Sequence, residues 1–107
     1  MINSQKLNDF DTKYFINENE EVSYVITRVL YEILDITDVY TNEKYRRKGY
    51  ARKILEYIIN NNIDKKIMLE VNENNVPAIN LYSSLGFKTI SKRKNYYKSE
   101  TALIMER

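Results

Sequence analysis

Apolar and polar positions change period repeatedly along this chain, and each change marks an element. Tyr14 to Asn17 is a short run with strand character, closed by the polar turn Asn17-Glu18-Asn19-Glu20. Val22 to Val29 is rich in β-branched and aromatic residues. Ile33 to Tyr40 repeats that character after a tight turn near Leu30 to Glu32. Thr41 to Lys48 is polar and charged, hence a loop. From Tyr50 the period lengthens: Ala51, Ile54, Leu55 and Ile58 fall at i, i+3, i+4 and i+7, one face of a helix that Asn60 to Asn62 stops. Ile67 to Val71 has the length of a buried strand, and Asn72 to Asn75 is a second polar loop. Pro77 suits the first turn of a second helix, with the apolar stripe Ala78, Leu81, Tyr82 and Leu85, and Gly86 stands where a helix-ending glycine belongs. Phe87 to Ser91, Tyr96-Tyr97 and Ala102 to Met105 supply the last strands.

The order β-β-β-α-β-α-β-β joins an antiparallel meander to a β-α-β crossover. It predicts an α+β fold with a mixed, mostly antiparallel sheet and flanking helices. The 107 residues match one domain, 1–107, long enough to bury a core without covalent staples. Hydrophobic residues make up 43% and charged ones 30%, the balance of a globular protein rather than a disordered one. No apolar run approaches the ~20 residues of a membrane span. MINSQKLNDFD lacks the basic-then-apolar layout of a signal peptide. The expectation is a cytoplasmic protein with no membrane part. The absence of cysteine and histidine excludes disulfides, thiolate metal sites, cysteine nucleophiles and Ser-His-Asp triads. Catalysis therefore rests on carboxylates, tyrosine, lysine, backbone N–H groups or a cofactor. A net charge of +2 is too small to argue for nucleic acid.

The segment DITDVYTNEKYRRKGYARKIL is a strand, a basic loop and a helix start. A loop that closes on a helix N-terminus aims unpaired N–H groups at one point, and the helix dipole adds positive potential there, which suits a phosphate or pyrophosphate. Gly49 admits close approach of the backbone, Ala51 is the next smallest choice, and Arg46, Arg47, Lys48 and Arg52 add charge. The competing reading is a solvated basic loop before an ordinary helix. Neither a Walker A loop nor a dinucleotide fingerprint is present.

Arg46-Arg47-Lys48-Gly49-Tyr50-Ala51 resembles the Gln/Arg-x-x-Gly-x-Gly/Ala motif of the GNAT family (GCN5-related N-acetyltransferases). LEVNENNVPAINLYSSLGF is similar to the family's second block as bacterial ribosomal-protein-alanine N-acetyltransferases carry it: Leu69-Glu70-Val71, Asn75, Ala78, Leu81-Tyr82 and Leu85-Gly86-Phe87. Lys92 to Tyr97 and Ala102 to Met105 continue the likeness, which covers roughly Lys13 to Arg107. The resemblance implies the GNAT fold and acetyl-coenzyme A as cosubstrate. Its pyrophosphate would lie on the 46–52 loop, its pantetheine arm along Val39, Tyr40 and Thr41, with Tyr50 and Asn75 adding contacts. It implies direct attack by a primary amine, with no covalent enzyme intermediate. Glu70 becomes the base, directly or through water, and Tyr82 the proton donor to the leaving thiolate. Asn95, Tyr96 and Tyr97 become candidates for the acceptor site. Read alone, Glu70 is an exposed strand carboxylate, Tyr82 a core residue, Asn75 a helix cap and Asn95 to Tyr97 an aromatic strand.

The acceptor implied is a protein N-terminal α-amine, a ribosomal protein among the candidates. The alternatives are a small amine, a lysine side chain, a module that binds coenzyme A or a partner without turnover, and an RNA-binding protein using the basic clusters. The sequence departs from the family at its start. Met1 to Thr12 are too few for the usual first strand and one or two helices that cover the sheet and shape the acceptor site. A sheet face left open predicts a homodimer, or a partner protein, covering that side through Phe10, Tyr14, Phe15, Tyr24 and Ile26.

Overall fold

The computed structural model describes residues 1–97 and 99–107, with side chains for all of these except 95–97. Seven strands, β1 (Asn3–Lys6), β2 (Asp11–Asn17), β3 (Glu21–Leu30), β4 (Ile33–Thr41), β5 (Lys66–Asn72), β6 (Lys88–Tyr97) and β7 (Glu100–Glu106), form one sheet in the order β1-β2-β3-β4-β5-β7-β6. Every neighbouring pair is antiparallel except β4 with β5, which are parallel. Helix α1 (Tyr50–Asn60) makes the crossover that a parallel pair requires, and α2 (Val76–Ser84) links β5 to β6.

The apolar stripe of α1 is buried as its period predicts: Ile54, Leu55 and Ile58 are fully enclosed. They share one core with Val22, Val25, Leu34, Ile36, Leu69 and Met105 from the sheet, and with Tyr82, Leu85 and Phe87 of the α2 segment. Strand alternation turns Leu34, Ile36, Leu69 and Val71 to this helical side and Asp35, Met68 and Glu70 to the other. Pro77 sits in the first turn of α2, and Asn75 caps it, its side chain accepting from Ala78 N–H at 3.3 Å. Gly86 follows the helix at φ +95°, the left-handed conformation expected of a residue ending a helix.

The sequence-read strands are all present and longer than read. The additional strand is β1, whose four residues are exposed and polar and so carry no alternation. Its hairpin is closed by Asn8, whose side-chain oxygen accepts from the N–H groups of Phe10 and Asp11. The two pieces read around Phe87 to Tyr97 are one strand, β6, with irregular register against β7. Before α1 the described residues hold no α-helix, only a short 3-10 turn, Glu43–Tyr45. On the side of the sheet away from the helices, Phe15, Tyr24 and Ile26 are half-buried among Lys13, Arg28 and Asp35, so the face mixes apolar and charged groups. Tyr14 is turned the other way and meets Tyr57 of α1, ring centres 6.1 Å apart.

Candidate active site

The site begins where two parallel strands part. β4 and β5 pair only from Ile33–Lys66 to Ile36–Leu69. Beyond that point β4 stays with β3 as far as Thr41, and β5 stays with β7 as far as Asn72. A register shift opposite Ile26 and Thr27 leaves Thr37 as an extra residue in β4, its hydroxyl donating to the Ile26 carbonyl at 3.2 Å. A bulge of this kind bends and twists its strand. The resulting gap encloses a cavity of about 250 Å³ whose walls include Asp38, Val39, Glu70, Asn75 and Tyr82.

Backbone polarity along the gap follows from the ladder. Asn42 N–H donates to the Val22 carbonyl at 2.7 Å. Counting back along the antiparallel register, Tyr40 turns its N–H and C=O to β3, where Ser23 Oγ also donates to its carbonyl at 2.8 Å. The backbone groups of Val39 and Thr41 therefore point away from β3, into the gap. Arg46 Nε occupies the Thr41 carbonyl at 3.0 Å. The remaining N–H and C=O groups there form a short free strand edge.

At one end of the gap lies the basic loop. Arg47 has φ +65° and Gly49 φ +82°, and Gly49 is the N-terminal flanking residue of α1 with no side chain capping the helix. The first-turn N–H groups of α1 thus keep their donors free for a ligand. A side-chain carbon built on Gly49 would meet nothing within 4 Å, so the space in front of it is open. A cavity of about 280 Å³ lies here, between Thr41, Arg46, Arg47, Gly49, Tyr50 and Ala51 on one side and Pro77 and Leu81 on the other. Arg52 lines it too, but its guanidinium is tied across to Ser84 Oγ at 2.5 Å. Lys48 stands over the Tyr45 ring, 5.9 Å from its centre, and is not part of the wall. The structure therefore places the backbone, Arg46 and Arg47 at the opening, with Arg52 as a brace between the helices.

At the other end, Glu70 accepts a hydrogen bond from Arg93 of β6 at 2.5 Å, with its side chain 39% exposed. Tyr82 is buried to 7% exposure. Burial first, and then the charge of Asp38, push its phenol above the ordinary tyrosine value, so it is protonated at neutral pH. Asp38 accepts from the Tyr24 hydroxyl at 3.1 Å, and Tyr24 stacks on Tyr40 with ring centres 5.2 Å apart. Glu70 also lines a second cavity of about 480 Å³, with Asp35, Thr37, Met68 and Ile104. Ile36, Thr37, Leu69 and Glu70 line both cavities, so the two adjoin where β4 and β5 part.

The structure brings Val39, Glu70, Asn75 and Tyr82 to one cavity and the 46–52 loop to its neighbour. Asn95, Tyr96 and Tyr97 fall in β6, but their side chains lie outside the described residues. Sequence reasoning missed Asp35, Asp38 and Arg93 as members of the site. The alternation of Ile33 to Tyr40 carries a signal for the first two, because charged residues interrupt a strand otherwise β-branched and apolar.

Comparison with known proteins follows the same lines. The family model described as acetyltransferase (GNAT) family matches residues 4–87. The [ribosomal protein bS18]-alanine N-acetyltransferase of Escherichia coli is 34% identical, the match covering 78% of this chain and 61% of that protein. The chain thus spans about three-fifths of the length of that relative. An N-alpha-acetyltransferase of Saccharolobus solfataricus is 30% identical over 96% of this chain and 73% of its own. The crystal structure of the ribosomal-protein-S18-alanine N-acetyltransferase from Escherichia coli has a TM-score of 0.83 at 28% identity, covering 95% of this chain and 70% of that chain.

Proposed function

The chain belongs to the acetyltransferase (GNAT) family, and on that premise we propose that it moves an acetyl group from acetyl-coenzyme A to a primary amine. The acceptor is a protein N-terminal α-amine in the cytoplasm, with a ribosomal protein as first candidate, the substrate class named for its relatives. The observation that supports this reading best is the parted β4–β5 gap. It joins a backbone-built anion cradle at one end to a carboxylate and a buried phenol at the other.

The residues present fit the coenzyme. The uncapped start of α1, the open space before Gly49 and the Arg46 and Arg47 side chains suit a pyrophosphate. The free edge at Val39 to Thr41 suits an amide-bearing arm, and Asn75 stands beside it with its side-chain NH₂ available. When bound, the coenzyme supplies an acetyl thioester, which reacts with a neutral amine without any covalent link to the protein. The N–H groups that β4 turns into the gap are fixed donors for a carbonyl oxygen that gains negative charge. Glu70 meets the amine from β5 and assists loss of its proton, directly or through water. An α-ammonium has a pKa of about 7.7–8.0, so modest help is enough. Tyr82 gives its proton to the sulfur as the carbon–sulfur bond breaks. The open sheet face around Phe15, Tyr24 and Ile26 associates in this reading with a second copy or a separate protein, which light scattering reads.

Titration calorimetry with acetyl-coenzyme A tests the reading at its root. Binding supports the cradle, whereas no binding leaves only the partner-module and RNA readings.

A further inference from the structure

We infer that Asp35 is the carboxylate on which the acceptor amine's proton ends, and that Glu70, fixed by Arg93, assists that loss by holding the ammonium beside it. This rests on the acetyl-transfer reading and names a further catalytic residue for that reaction. Asp35 and Glu70 stand on neighbouring strands, Glu70 two positions beyond Met68, the register partner of Asp35, and so on the same face; both line the cavity of about 480 Å³ on the open side of the sheet. Their surroundings differ. Glu70 is committed to Arg93. Asp35 lies directly across from Arg28 of β3, the natural partner. That guanidinium is spent on Asp11, which takes Nε at 2.8 Å and a terminal nitrogen at 3.1 Å. On β5 the next cation, Lys66, is paired with Glu106 of β7 at 3.4 Å, and the β7 contribution to the cavity wall is Ile104. Asp35 is left half-buried, with no hydrogen bond or ion pair among the described residues.

An unpaired carboxylate in such a place holds a proton more readily than one in water. Burial and the nearby charge of Glu70 push the Asp35 carboxyl above its ordinary value, against the weaker pull of Arg28. Two carboxylates in one cavity, one locked and one loose, divide the work: the locked one orients a cation, and the loose one is free to take a proton. The step balances simply. The N–H bond of the ammonium breaks, an O–H bond forms on Asp35, and the lone pair left on nitrogen attacks the thioester carbon. Asp35 then returns its proton to water through the open cavity.

The test uses the whole chain with acetyl-coenzyme A and a peptide bearing a free N-terminal amine. Asp35→Asn, Asp35→Glu and Glu70→Gln are compared by kcat, by both KM values and by pH profile. Asp35→Asn is expected to lower kcat about 100-fold, within the range for a positioned base, and to remove the acidic limb of the kcat profile. The KM for acetyl-coenzyme A should stay within about twofold. Asp35→Glu should recover most of the rate, and Glu70→Gln should raise the acceptor KM more than it lowers kcat. Wild-type kcat with an unchanged profile in Asp35→Asn overturns the inference while leaving acetyl transfer intact. A wild-type chain that acetylates no amine overturns both. Carbon-13 titration of the carboxyl groups gives a readout independent of activity, and holds even where a variant folds poorly. The Asp35 signal should titrate above the ordinary aspartate range, and one inside that range contradicts the assignment.

Discussion

The two ends of the gap are built from different material. The coenzyme end is backbone: a left-handed Gly49, an uncapped helix start and the free edge of β4. Its side chains are largely engaged elsewhere, Arg46 on a carbonyl, Arg52 on Ser84 and Lys48 over a ring. The acceptor end is side chain: Asp35, Asp38, Glu70 and Arg93, drawn from three strands. Backbone donors keep their direction whatever the surrounding residues are, provided one position can adopt positive φ. A side-chain site depends on which partner each charge finds. The first design tolerates sequence change and breaks at a glycine. The second is retuned by single substitutions.

Tyr82 stands at the acceptor end on α2, the helix whose Pro77 and Leu81 wall the coenzyme end, so removing its hydroxyl tests whether the two ends act together. Tyr82→Phe should lower kcat by ~10²–10⁴-fold, the range for a positioned proton donor, with the Kd for acetyl-coenzyme A unchanged by calorimetry. An equal loss of binding would make Tyr82 part of the coenzyme end instead. Gly49→Val strikes that end alone. Its side chain enters the open space before the helix and its φ resists a β-branched residue. Coenzyme binding should weaken at least tenfold, ~1.4 kcal/mol, with folding retained by circular dichroism. Unchanged affinity in the folded variant removes the anion cradle.

Two smaller effects are read from stability against pH. Asp35 holds its proton more tightly when folded than when unfolded, so its ionisation costs stability. That cost is absent at low pH, where both states are protonated, and appears as pH rises through the folded value. Asp35→Asn should therefore raise the melting temperature at pH 7, by an amount that shrinks on acidification. A fall at pH 7 would mean that Asp35 has a partner after all. Asp11 behaves oppositely and more weakly. Its hydrogen bonds from Arg28 and Asn8 hold the carboxyl down to about 2 from the ordinary 3.8. Its contribution is present above the unfolded value and is lost as pH falls from 3.8 toward about 2. Asp11→Asn should lower stability slightly at neutral pH and converge with the wild type in acid. The Arg28 side of the pair is half exposed and so screened by water, and the difference is the smallest of these.

The same contrast explains what the sequence discloses. Val22 to Val29, Ile33 to Tyr40 and the α1 stripe are legible because one buried face imposes a period on them. Gly49 is legible because positive φ restricts the residue, and Asn75 because a helix start asks for a side-chain acceptor. β1 is not, since its polar residues Asn3–Lys6 gain order only by pairing with β2. Asp35 and Asp38 show only as charges in an otherwise apolar strand, and the Thr37 bulge that decides which way Asp38 faces is not legible. The loneliness of Asp35 is set still further away, by the grip of Asp11 on Arg28. A one-dimensional pattern cannot carry a partner choice made across three strands.

The most direct test of the central claim is mass spectrometry of a free N-terminal peptide and its N-terminally blocked twin, each incubated with acetyl-coenzyme A and the purified chain. The account predicts one added acetyl group, on the α-amine of the free peptide, and none on the blocked one. No added acetyl above the enzyme-free control across N-terminal sequences, or equal labelling of both twins, would contradict it.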